Sequence, residues 1–214
     1  MTGSKLPRLA TRKGYHHGNL TEVLVAAAVA LIEERGVEAL SVREVAKRAG
    51  VSSGAPFRHF DNKTALLTAV AEQAMERFVA AVDQALDGWP AGDPIGALRA
   101  MGRAYLQWAT KSPVHFRIIS SRRMIDFTGS ARLVAQNAAL QQTMRLWVER
   151  ARNTGKLREG MDTTVILLSS RAQVYGLARM WCDDHLQDWQ GSQDSAAAML
   201  ASLDSYIDGL TPHS

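Results

Sequence analysis

The chain has 214 residues, 46% hydrophobic and 21% charged, which is ordinary for a globular protein and long enough to bury a sizeable core. No apolar run reaches the roughly 18 residues a bilayer crossing needs. Residues 1–13 are basic and polar, so no signal peptide is expected, and the single cysteine, Cys182, excludes an intrachain disulfide and fits a reducing cytoplasm. The net charge of +4 lies wholly in residues 1–63, with ten Lys/Arg against six Asp/Glu, while residues 64–214 carry fifteen of each. That is the footprint of a polyanion-binding head on a neutral body.

Residues 1–14 are short of large apolar side chains and read as a disordered basic arm. A first helix is expected from about Asn19 to Arg35, with Leu20, Val23, Leu24, Ala27, Ala28, Leu31 and Ile32 at 3–4 spacing and Gly36 as its stop. Ser41 with Glu44 makes a capping box for a second, short helix, which Gly50 ends. Ser52 can cap a third helix with Pro56 in its first turn, anchored through Phe57 and Phe60. A helix, a glycine turn and a second helix within a basic surround form the pattern of a helix-turn-helix. A long fourth helix, capped by Asp61, is expected to reach Leu86, where the Gly88, Pro90, Gly92 and Pro94 run breaks the chain. The remainder reads as helices over about 94–110, 114–119, 131–153, 162–185 and 192–208, with a loop at 122–130 and no strand signal. The expected fold is all-α, of about nine helices. A three-helix helix-turn-helix head (15–63) is joined by the long helix to a helical ligand-binding and dimerisation body (64–214).

Two stretches resemble a known family. Tyr15-His16-His17-Gly18-Asn19-Leu20 resembles the start of helix 1 in one subgroup of the TetR family of transcriptional regulators. Residues 50–60, followed by Asp61-Asn62-Lys63-Thr64-Ala65-Leu66-Leu67, resemble that family's recognition helix and the start of its next helix. The resemblance implies a ligand cavity in the body. It also implies that His59 and Lys63 contact the phosphate backbone, Lys63 together with its helix N-terminus. Phe57 stands where the family usually has a tyrosine whose phenol donates to phosphate, so that contact is lost here.

The residues assign the rest of the candidate interface. Ser52, Ser53, Gly54 and Ala55 are small, so backbone can approach bases and phosphates; Ser53 can bond a base edge or a phosphate, and Ala55 can touch a thymine methyl. Arg58 can grip guanine bidentately or bind phosphate. Ser41 and Arg43 are further phosphate candidates.

In the last helix Ala196, Leu200, Leu203 and Ile207 repeat at 4-3-4 spacing. In the one before, Val165, Leu168, Ala172 and Gly176 offer close approach. Such stripes form either a four-helix bundle across a two-fold axis or the chain's own core; reading a palindromic operator favours a homodimer. Met101, Tyr105, Trp108, Phe116, Met124, Trp147 and Tyr175 are core by composition, and by the resemblance the candidates to line a pocket for an apolar or aromatic effector. Arg103, Arg117 and Arg171 leave an acidic effector open. Cys182 and His185 are two ligands, not a metal site. With no phosphate loop or paired catalytic set, no enzyme, metal or cofactor is expected. The expected function is a cytoplasmic, DNA-binding, ligand-responsive regulator, most simply a repressor. The rival is a ligand-binding or scaffold protein whose head is degenerate, for which Phe57 speaks.

Overall fold

The computed structural model describes residues 19–190 and 194–212, so the basic arm, the Tyr15–Gly18 stretch and the expected start of the last helix at Ser192 lie outside the described residues. Among the described residues there are nine α-helices and no strand. They are α1 (Asn19–Arg35), α2 (Val42–Arg48), α3 (Lys63–Leu86), α4 (Pro94–Lys111), α5 (Pro113–Ser120), α6 (Ala131–Asn153), α7 (Thr163–Cys182), α8 (Gln187–Gln190) and α9 (Ser195–Asp208).

Most ends are set by local chemistry. Ser41 Oγ accepts from Glu44 N–H at 3.2 Å at the start of α2, while the Glu44 carboxylate turns to Arg35 at 3.9 Å rather than back to the cap. Asn62, not Asp61, caps α3, its Oδ1 accepting from Ala65 N–H at 2.9 Å. Ser130 caps α6 and also donates to Glu72 Oε1 at 2.6 Å, tying α6 to α3. Helix α7 stops at Cys182 rather than reaching His185, because Asp184 takes a left-handed turn at φ 58°.

The expected recognition helix is the main departure. Residues 52–60 form successive tight turns, with one 3-10 turn at Pro56–Arg58. Ala55 N–H bonds Ser52 C=O at 3.0 Å, Arg58 N–H bonds Ala55 C=O at 3.3 Å and His59 N–H bonds Pro56 C=O at 2.9 Å, all three-residue steps. Pro56 has no N–H to donate to Ser52, the bond an α-helix needs there, and Gly54 adds chain entropy to any helix through it.

Two cores share the molecule. Leu24, Ala28, Leu31, Val45 and Phe60 of the head pack with Leu66 and Val70 of α3, but also with Val114 and Ile118 of α5, Ile125 and Leu133. The second core gathers Leu106, Phe116, Val148, Ile166, Leu177 and Leu203 from α4 to α9. Helices α3, α5 and α6 therefore belong to both, and packing runs across residue 63 without a break. Helix α9 approaches α4 closely at Gly102, where an added Cβ would sit 2.9 Å from the Leu203 methyls.

Candidate nucleic-acid interface

The turn segment after α2 is held to the head by its apolar side and leaves its polar side outward. Pro56 and Phe60 are buried; Ser52, Ser53, Gly54, Phe57, Arg58 and His59 are exposed, with Ala55 half-buried between them. Phe57 does not anchor the segment as expected. It is 45% exposed and lines a shallow cleft with Leu40, Ser41, Val42, Arg43, Asn62 and Lys63. The backbone turn that buries Phe60 carries the residue three positions earlier to the surface.

His59 is placed by a residue the sequence reading did not select. Thr21, in the first turn of α1, lies 3.2 Å from His59 Nδ1 through its Oγ1. With Thr21 donating, the second ring nitrogen carries its hydrogen outward. No sequence signal marks this pair, which is 38 residues apart.

The basic residues divide into spent and available. Arg48 is bidentate on Glu34, at 2.7 and 2.6 Å, and its hydrogen bonds hold the Glu34 carboxyl below the usual carboxylate range. Lys63 Nζ donates to Val37 C=O at 2.6 Å and reaches Glu38 C=O at 3.5 Å, so its ammonium ties α3 to the turn before α2. Arg43, Lys47 and Arg58 are exposed and have no acidic partner among the described residues. The Ser41 hydroxyl oxygen serves the α2 cap and keeps its hydrogen to donate. These side chains, with Ser52 to Ala55 and His59, make a surface of donors and cations on which Phe57 is the apolar exception.

The body residues expected to line a pocket fall into three groups. Tyr105, Trp108, Phe116 and Tyr175 are brought together with Phe78 of α3, ring centroids 5.1–6.2 Å apart, as a packed aromatic cluster. Arg171 sits 4.8 Å over the Tyr105 ring, yet burial dominates and pushes the Tyr105 hydroxyl up to about 12. Trp147 packs on the edge of the body core, 5.3 Å from the Arg150 guanidinium carbon, and Met101 is half-buried outside the ring cluster. Met124 packs against the head core instead, because the turn after α5 carries it there.

The expected interface residues divide as well. Val165 and Leu168 are 60% and 70% exposed and Ala172 is exposed beside them, an apolar stripe along α7. Ala196 is exposed, and Leu200 and Gly176 are half-buried. Leu203 and Ile207 are 1% and 2% exposed and lie in the chain's own core, so they cannot face a partner. Periodicity marked their face of α9 as buried without saying against what.

Among the described residues no helix is long and apolar enough to cross a membrane, and no three His, Cys, Asp or Glu side chains converge as a metal site would need. Residues 24–70 match the family model of bacterial regulatory proteins of the tetR family, and residues 98–203 match that of the tetracyclin repressor-like C-terminal domain. The tetracycline repressor protein class A from transposon 1721 of Escherichia coli is 37% identical over 93 residues, 43% of each chain. The HTH-type transcriptional regulator BetI of Yersinia pestis is 36% identical over 36% of this chain and 39% of its own. The HTH-type transcriptional activator FasR of Mycolicibacterium smegmatis is 30% identical over 63% of this chain and 55% of its own. The alignments thus span about two fifths to just over half of these relatives. A protein of unknown function from Rhodococcus sp. RHA1 superposes with a TM-score of 0.77 at 27% identity, covering 94% of this chain and 100% of that one. The TetR family transcriptional regulator PfmR of Thermus thermophilus shares the fold, with a TM-score of 0.64 at 22% identity over 88% of this chain and 99% of its own. With both halves matched by the models of one family, in that family's order and fold, the chain belongs to the TetR family of bacterial regulatory proteins.

Proposed function

We propose that this protein is a DNA-binding transcriptional regulator that acts as a homodimer on a palindromic operator and releases it when a small molecule binds the body. The observation that carries the reading is the exposed surface built by Ser52, Ser53, Gly54, Arg58 and His59 with Arg43 and Lys47, on which no carboxylate pairs with a cation among the described residues. Of the acids in the head, Glu34 is spent on Arg48 and Glu44 lies 3.9 Å from Arg35. Arginine and lysine supply the phosphate attraction, and small side chains let the backbone approach base edges. The exposed Val165, Leu168 and Ala172 stripe of α7 supports a two-fold contact, with the exposed small residues of α9 beside it.

Genomic-fragment selection at physiological salt tests the reading. A recovered palindrome lost on Arg58→Ala supports it, and retention of no sequence above background refutes it. The exposed Phe57 favours one rival, a ligand-binding protein with a degenerate head; that protein would bind no duplex at low salt, whereas phosphate contacts predict binding that falls steeply as salt rises. An activator is the alternative polarity, which the name of the FasR relative brings in. A reporter fused to the recovered operator separates the two.

A further inference from the structure

The aromatic cluster at the centre of the body is filled, and a concavity lies beside it. On α3, Ala81 and Ala85 are one turn apart; on the facing side of α4, Gly96, Ala100 and Ala104 are each one turn apart. These small residues floor a groove of about 910 Å³ between the two helices, near the upper end of the range for small-molecule sites. Gly96 closes one end against the Trp89 ring, which an added Cβ would approach to 2.8 Å, and the Trp89 indole is fixed by donating to Asp93 C=O at 3.0 Å.

Two features of the lining point to an occupant. Trp108 is 6% exposed and lines the groove, and its indole N–H is buried with no acceptor. A buried donor without an acceptor is uncommon and costly, and because the nitrogen itself has no exposed surface a ligand oxygen would satisfy it only once the ring turns towards the groove. The rim is also cationic. Asp93, the one acidic lining residue, spends its carboxylate on Gly96 N–H at 2.9 Å, while Arg99, Arg103 and Lys111 line the same groove. Arg99 is held by Asp204 and Asp208, and Arg103 by Asp204, but Lys111 is exposed with no acidic partner among the described residues.

We propose that the α3–α4 groove is the effector site, and that it takes a planar, mostly apolar molecule bearing one acidic group. The molecule's body lies on the alanine floor between Trp89 and Trp108, an acceptor meets the Trp108 indole, and the acid meets Lys111. The site rests on the effector reading for its role but not for its existence. It also has a route to the head: Trp108 meets Phe116 of α5 edge-to-face, ring centroids 6.2 Å apart, and Val114 and Ile118 of the same helix lie in the head core.

The full-length protein titrated with 1-anilinonaphthalene-8-sulfonate, a planar aromatic anion, tests the site, with N-phenyl-1-naphthylamine as its uncharged counterpart. The expected result is one bound anion per chain. Ala85→Leu and Ala100→Leu, both at half-buried positions, fill the groove and weaken binding roughly tenfold or more while keeping the thermal midpoint. Lys111→Glu should weaken the anion by about threefold to tenfold and leave the uncharged probe unchanged. Undiminished binding in both leucine variants overturns the site, as does the absence of stoichiometric binding. Equal loss of both probes in Lys111→Glu overturns the acidic-group assignment. Operator affinity is measured separately: a probe that fills the groove without altering it removes the regulatory role, and failure to bind any duplex removes the DNA reading while leaving the site assignment intact.

Discussion

Stability should depend on pH through His115, a group outside both the DNA surface and the groove. His115 is 3% exposed on α5, with its Nε2 2.9 Å from Gln73 Oε1 of α3. Burial, with Arg77 adding to it, lowers its pKa from the ordinary 6.5 to about 4. The folded state therefore holds the ring neutral while the unfolded chain takes up a proton near pH 6.5. The contribution is present in full above that value and is lost as pH falls towards 4. Each pH unit in this window costs about 1.4 kcal/mol, so the loss is about 1.4 kcal/mol at pH 5.5 and about 2.5 kcal/mol at pH 4.5. Urea unfolding of the wild type and His115→Gln at these pH values and at pH 7.5 measures it, the variant serving as reference for carboxylates that titrate in the same range. The wild type should lose more stability than the variant by those amounts. Parallel pH curves would refute the reasoning, since they would mean the ring is protonated equally easily in both states.

Further expectations follow from single contacts. Leu168→Glu places a charge in the exposed α7 stripe; sedimentation should show monomers that melt normally as a fold but lose operator affinity, and an unchanged dimer would remove α7 from the interface. Thr21→Ala removes the hydroxyl that orients His59 and should weaken operator binding by about 1 kcal/mol, or roughly fivefold in a mobility-shift titration. Glu34→Gln releases Arg48 from its bidentate pair; random-duplex affinity should rise and its salt slope steepen by about one, with folding stability little changed because the pair is exposed.

The sequence was most legible where one local device decides a boundary. The apolar repeat of α1 ends at Arg35 because Gly36 takes a φ of 77°, and α6 ends at Asn153 with Gly155 at a φ of 67°. The exposed face of residues 52–59 was also legible by type, since small and basic side chains sit where a core would need aliphatics. Their conformation was not, because Ser52 and Pro56 suit both a helix start and a run of tight turns. Lys63 shows a further limit: the family resemblance implied a phosphate contact, but the nearby carbonyls of Val37 and Glu38 compete for the ammonium, and they lie 26 and 25 residues away. Stripes at helical spacing showed which faces are buried but not by what, and so Leu203 and Ile207 resembled interface residues while Val165 and Leu168 are the exposed ones. The rows of Ala81 and Ala85, and of Gly96, Ala100 and Ala104, would serve equally for tight helix contact. That they leave a groove depends on how α3 and α4 are set by the rest of the body.

Communication between the proposed effector groove and the head must pass through α3, α5 or α6, since these helices carry residues of both cores. Helix α5 is the shortest of the three. It has eight residues, with Val114 and Ile118 four apart on the face towards the head and Phe116 between them on the face towards the body. A shift of α5 in one core therefore repacks the other. The energy required sets a condition on the ligand: moving a two-state equilibrium from 1:99 to 99:1 takes about 5.5 kcal/mol of differential binding. One aromatic contact such as Trp108 to Phe116 is worth about 0.5–1.5 kcal/mol beyond its buried area, too little to carry that alone. Phe78, Tyr105, Trp108, Phe116 and Tyr175 touch in sequence across α3, α4, α5 and α7, so they can move only as a group. An effector that acts on the head must accordingly repack this whole cluster, and a ligand that meets only the Trp108 indole should bind without releasing DNA.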